Sequence, residues 1–174
     1  MKRPATPLIL LILITLLNLP VSGQDLSKYY TTRTQEGGDL YFILPFDKFK
    51  SEADRSEFIF DITYRQGNDS VAINYTFYTD DRFSPDSLQI KSGRPTYTLQ
   101  TENLFKDFKK RKWENRYSVK MPFTVLADII NSDSKPVIRL LSNERALVYF
   151  IKEKDWEKYS DAIGKILYII ETEK

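Results

Sequence analysis

The sequence predicts a mainly β, α+β fold: an antiparallel β-sandwich or open barrel of about 7–8 strands, with a short helix and a C-terminal amphipathic helix packed on the sheet. Three observations carry this. Phe58, Phe60, Ile62 and Tyr64 alternate with Ile59, Asp61, Thr63 and Arg65, and after Gln66-Gly67-Asn68-Asp69 a second run alternates Val71, Ile73, Tyr75 and Phe77 with Ala72, Asn74, Thr76 and Tyr78. Period two on both sides of a turn is a hairpin signal. Shorter alternating runs recur further along the chain, and Trp156, Tyr159, Ile163, Ile166, Leu167 and Ile170 recur every three or four residues, as on a helix that buries one face.

The elements follow in order along the 174 residues. Lys2 and Arg3, the apolar run 8–19 and Pro20-Val21-Ser22-Gly23 predict a signal peptide over residues 1–23, cut after Gly23. The run falls short of the roughly 20 apolar residues that a spanning helix needs, so no stable membrane anchor is expected after cleavage. Residues 24–38 are polar and predict a flexible N-terminal lead-in. A single β-rich domain is expected over 39–174. Leu40, Phe42, Leu44 and Phe46 predict its first strand, which Pro45 confines to an edge or stops. Residues 47–56 read as a loop or one helical turn.

After the central hairpin comes a loop over 80–87, then a second hairpin from Leu88-Gln89-Ile90 to residues 97–99. Leu104, Phe105 and Phe108 fit one helical face, so residues 102–112 predict a short helix. Tyr117, Val119 and Met121 predict a strand ending at Pro122. Thr124 is placed to cap a helix bearing Leu126, Ile129 and Ile130. Residues 137–141 and 146–151 flank Ser142-Asn143-Glu144 as a third hairpin. Asp155 is placed to cap the last helix, where Gly164 predicts a close approach to a strand.

From Tyr117 onward, the order of strand, short helix with Leu126 and Ile129-Ile130, strand Val137-Ile138-Arg139-Leu140, turn, strand and Trp156-led helix resembles small exported bacterial proteins of the domain-of-unknown-function type. The resemblance covers about a third of the chain. It implies an envelope protein with a β-rich body and a packed C-terminal helix, and it implies no activity and no site.

Composition removes many chemistries. The chain has no Cys and no His. A Ser-His-Asp triad, a thiol nucleophile, a thiolate or imidazole zinc site, a disulfide and a lipid-modified cysteine are therefore all impossible. The six glycines form no dinucleotide or P-loop phosphate cradle. Removing Lys2 and Arg3 from the 26 bases leaves 24, matched by the 24 acids, so a globally basic nucleic-acid binder is not expected. Avoidance of cysteine in an exported chain points to a bacterial envelope. No cofactor and no metal are expected: the acidic loop 80–86 offers oxygens, but its spacing is not that of a calcium-binding EF-hand.

What remains are surface candidates. Lys106, Lys109, Lys110, Arg111 and Lys112, interleaved with Phe105, Phe108, Trp113 and Tyr117, combine cations with stacking surfaces and suit a polyanion such as an acidic glycan or a lipid headgroup. Tyr78 lies on the outward parity of its strand and is placed to contact a ligand. Asp69-Ser70-Val71 and Asp86-Ser87-Leu88 resemble a bacterial O-glycosylation acceptor, with Ser70 and Ser87 as the acceptors in predicted turns. Asn68 and Asn74 head N-glycosylation sequons. Asp61, Asp80, Asp81 and Asp86 are the carboxylates available to a hydrolase.

The expectation is an exported, non-enzymatic envelope or secreted module, periplasmic or released, that binds a protein or glycan partner through a sheet edge or the Tyr78 face. One alternative is a His-free hydrolase of an envelope polysaccharide using two carboxylates that converge in a pocket. The other is a polyanion-binding protein using the 106–112 cluster.

Overall fold

A computed structural model describes residues 26–45, 47–143 and 145–172. The predicted leader and its cut, Phe46 and Glu144 lie outside the described residues. The elements are β1 (Tyr30–Gln35), β2 (Gly38–Ile43), β3 (Phe49–Lys50), β4 (Glu57–Arg65), β5 (Ser70–Thr79), β6 (Ser87–Lys91), β7 (Thr96–Gln100), β8 (Glu102–Lys109), β9 (Lys112–Pro122), α1 (Phe123–Ile130), β10 (Val137–Leu141), β11 (Ala146–Phe150) and α2 (Glu153–Thr172).

Among the described residues the eleven strands form one antiparallel sheet in the order β7-β6-β10-β11-β3-β4-β5-β9-β8, with β2 joining β1 to the far end of β4. Its two outermost strands, β7 and β8, are consecutive in the chain and separated only by Thr101. The chain over 96–109 therefore pairs with β6 by its first half and with β9 by its second. Thr101 sits at the seam, its N–H donating to the Asp86 carbonyl at 3.2 Å and its hydroxyl to the Pro85 carbonyl at 2.7 Å. The sheet thus curls into a nearly closed, barrel-like ring.

Strand parity decides what fills the ring. Phe58, Phe60, Ile62 and Tyr64 of β4 stand opposite Phe77, Tyr75, Ile73 and Val71 of β5, which stand opposite Asn115, Tyr117, Val119 and Met121 of β9. Phe58 is the hub of the aromatic packing: its ring lies 5.2 Å from Tyr75, 5.4 Å from Tyr149 and 6.0 Å from Phe49. α2 lays Trp156, Tyr159, Ile163, Ile166 and Ile170 onto this surface, with Tyr159 edge-on to Phe60 at 5.4 Å. α1 adds Phe123, Leu126, Ile129 and Ile130. An apolar gap of about 20 Å³ is left between α1, Trp156 and the sheet, space for a water-sized group at most. Among the described residues the interior is a packed core.

Six local expectations are corrected. Residues 102–112 form β8 and the turn after it, not a helix, because pairing with β9 satisfies their backbone. Tyr30–Gln35, expected within the flexible lead-in of 24–38, forms edge strand β1 across the Glu36-Gly37 turn, where Gly37 takes φ of 93°. Within the expected loop 47–56, Phe49–Lys50 forms the short strand β3, because Phe49 enters the core opposite Phe58. Thr124 lies inside α1, which begins after Pro122 with no side-chain cap. Gly164 faces Ile130 and Asn131 at the end of α1 rather than a strand, and a Cβ there would meet atoms at 3.8 Å, ordinary contact. Asp155, expected as a cap, lies inside the first turn of α2, which begins at Glu153; its negative charge there favours the helix dipole.

Candidate functional site: the β8–β9 arm

The basic cluster is the end of a two-stranded arm. Phe108 pairs with Trp113 and Lys109 with Lys112, leaving Lys110-Arg111 as a two-residue turn. In its type I′ form such a turn has positive φ at both central positions, and the right-handed twist of the strands favours it. Lys110 has φ of 51° and Arg111 of 67°. Asn-Gly is the usual solution, since a side-chain-bearing residue held in this region costs about 1 kcal/mol or more. Here the apex carries two cations, and neither forms an ion pair with the described residues.

Behind the apex, β8 exposes apolar surface. Leu104 is 46% exposed, Phe105 41% and Phe108 56%, three of the five exposed large hydrophobic side chains among the described residues. Leu104 falls at a bulge between Asn103 and Phe105. The extra residue puts Phe105 on the outer face, opposite Arg116, and Phe108 on the other face, with its ring 5.3 Å from Trp113. Arg82 stacks over Trp113 at 4.9 Å. Lys106, on the same face as Phe108, donates to the Ser84 hydroxyl and lies 5.6 Å from the buried Tyr117 ring. Among the described residues β8 pairs with β9 only, which leaves its other edge open.

The outer face brings Tyr78 to the cluster. Tyr78 stands opposite Glu114, and a recess of about 270 Å³ is lined by Tyr78, Lys109, Lys110, Lys112 and Glu114. Lys109 bridges Asp107 at 2.9 Å and Glu114 at 3.5 Å, while Lys112 reaches Asp80 at 3.7 Å. The hydrogen bond from Lys109 holds the Asp107 carboxyl below its usual range, and Asp107 raises the lysine in return. Partial burial, then the charges of Glu114 and Glu57, push the Tyr78 phenol up from its ordinary value. Of the predicted binding residues, Tyr78, Lys109, Lys110 and Lys112 meet at this recess, with Arg111 beside it in the turn. Lys106 and Trp113 face the opposite side. Glu114, unmarked in the sequence reading, is the acid that completes the recess; its place on the outward parity of β9 is the signal that locates it.

The other candidates are dispersed. Asp61 is engaged by Arg116 at 2.6 Å and Asp81 by Arg145 at 2.5 Å. Asp81 and Asp86 both border a recess of about 340 Å³, but the hydrogen bond from Arg145 holds Asp81 below the usual carboxylate range. Among the described residues no three acids gather as metal ligands would. Ser70 is the half-buried first residue of β5, and Ser87, the first of β6, is 9% exposed and flanked by Gln100 and Leu141; both are strand residues rather than turn residues. Asn68 is exposed in its turn, and Asn74 is half-buried, donating to Asp61 at 2.9 Å. Among the described residues no helix is long and apolar enough to cross a membrane.

Comparison with known proteins returns no matching family model, curated protein or solved structure.

Proposed function

We propose that the protein is an exported, non-enzymatic module of the cell envelope or secreted space that binds a protein or glycan partner, with the β8–β9 arm as its contact element. The observation that carries this is the concentration of exposed apolar side chains, Leu104, Phe105 and Phe108, on one open-edged strand ringed by cations. Exposed apolar surface rimmed by polar groups marks interaction sites, and an open edge offers unpaired backbone groups to a partner strand. Export is supported by the leader pattern over 1–23 and by the absence of cysteine. Likeness of the segment from Tyr117 onward to small exported bacterial proteins points the same way.

The hydrolase alternative is the weaker one. Two-carboxylate glycoside hydrolysis keeps one carboxyl protonated by raising its pKa. The carboxylate of Asp81 is committed to Arg145, and that of Asp61 to Arg116 and Asn74.

The test is capture of partners from the native host by the full chain and by a Leu104→Ser, Phe105→Ser, Phe108→Ser variant. The wild type is expected to recover a partner that the variant loses, while Tyr168→Ser on the exposed side of α2 retains it. Equal recovery by wild type and triple variant contradicts the assignment.

A further inference from the structure

We infer that the recess between Tyr78 and the apex of the arm is a binding site for an acidic glycan, with the carboxylate of a sugar acid on the lysines and its hydroxyls on Glu114 and Tyr78. This rests on the arm being the contact element and names the ligand class for it.

Four observations converge on this ligand. Lys109, Lys110 and Lys112 line the recess with Arg111 beside them, against Glu114 in the lining and Asp107 and Asp80 paired to Lys109 and Lys112, so four cations face three acids and the site is positive by one charge. Two of the three pairs that Lys109 and Lys112 make, those with Asp107 and Asp80, are with exposed carboxylates and hold little energy against a ligand anion, while the third is with the half-buried Glu114 of the recess. Lys110 and Arg111 hold a backbone conformation that Asn-Gly would take with less strain, and strained side-chain-bearing positions cluster at binding sites. The strain places two cations without described ion-pair partners where a ligand first arrives. Finally, Tyr78 supplies an aromatic face and a hydroxyl, while Glu114 supplies an acceptor. A polyol uses both, whereas a simple anion is repelled by Glu114.

Geometry disfavours a bilayer as the ligand. An element that lies in a bilayer surface gathers its apolar groups on one face and its cations on the other. This arm divides them, with Phe105 and Phe108 on opposite faces and the cations at the apex. The recess of about 270 Å³ is open enough to seat a single sugar ring at the end of a longer chain.

The test is calorimetric titration of the full mature chain with oligogalacturonate, with a neutral malto-oligosaccharide of the same length, with inorganic phosphate and with phosphatidylglycerol vesicles. Oligogalacturonate is expected to bind, with affinity falling as salt rises, and the neutral sugar, phosphate and vesicles are expected to bind far more weakly. Lys110→Asn with Arg111→Gly removes two charges while relaxing the turn, so binding is expected to weaken about tenfold with no loss of unfolding midpoint. Tyr78→Phe, which keeps the ring and deletes the hydroxyl, is expected to weaken binding as well. Equal binding of the neutral sugar, tighter binding of vesicles or phosphate, or wild-type affinity in the turn variant each overturns the assignment. If oligogalacturonate fails to bind while partner capture still depends on Leu104, Phe105 and Phe108, the ligand class is wrong and the contact element stands. If capture is also independent of those residues, both fall.

Discussion

Arg116 on β9 reaches across Thr76 of β5 and places its guanidinium 2.6 Å from the carboxylate of Asp61 on β4. It donates to the Thr76 hydroxyl on the way, at 3.0 Å, and Asn74 supplies Asp61 with a second donor at 2.9 Å. One side chain thus ties three strands on the outer face and covers Thr76, which is buried although it points outward. The two side chains are 29% and 22% exposed, so solvent screens the pair only in part. Asp61→Ala is expected to cost about 1–2 kcal/mol, since it strips Arg116 and Asn74 of an acceptor together. Denaturant unfolding at neutral pH measures this, and a change within error of zero refutes the tie.

Gly164 lies within α2, facing the end of α1 with ordinary contact distance to spare. Gly164→Ala is therefore expected to stabilise the protein by about 0.5–1 kcal/mol, through the lower entropy of the unfolded chain and better helix propensity. A lowered unfolding midpoint would show that α1 and α2 pack more closely than these distances allow.

Three core tyrosines set the alkaline limit of the fold. Burial raises Tyr149 to about 12, with Asp54 adding to the shift and Ser56 and Arg145 opposing it. Burial likewise pushes Tyr75 and Tyr159 well above the ordinary value of 10.0. The folded state holds these protons more tightly than the unfolded chain. The stabilisation is complete below about pH 10 and is lost as pH climbs through 12. Absorbance of tyrosinate at about 295 nm should therefore show these three ionising together with loss of structure. Smooth ionisation in an intact fold would contradict their burial.

The turn at the apex gives a stability prediction separate from binding. Lys110→Asn with Arg111→Gly suits the positive φ angles at both positions and is expected to stabilise the protein by about 1 kcal/mol or more. Thermal unfolding of the variant reads this directly, and a lowered midpoint would mean that the two side chains hold the arm in place through contacts of their own.

The legibility of each element follows from its physics. β4 and β5 were readable because long strands with one face in the core keep strict period two. β1 was not, because an edge strand exposed over nearly its whole length needs no apolar pattern. β8 read as a helix for a specific reason: the bulge at Leu104 breaks the alternation, leaving Leu104, Phe105 and Phe108 at the one- and three-residue spacings of a helical face. The outward place of Tyr78 is legible from strand parity, and the grouping of the lysines from their closeness in sequence. That Phe105 and Phe108 face solvent rather than the core was hidden, since residue type alone does not say which side of a bulged ribbon is covered.

The most direct test of the arm as contact element is a photo-cross-linking amino acid placed at Phe108, and separately at Tyr168, in full-length chains expressed in the native host. The account predicts a discrete adduct from position 108 that is absent at 168. Adducts from 168 with none from 108 would contradict it and move the contact surface to α2.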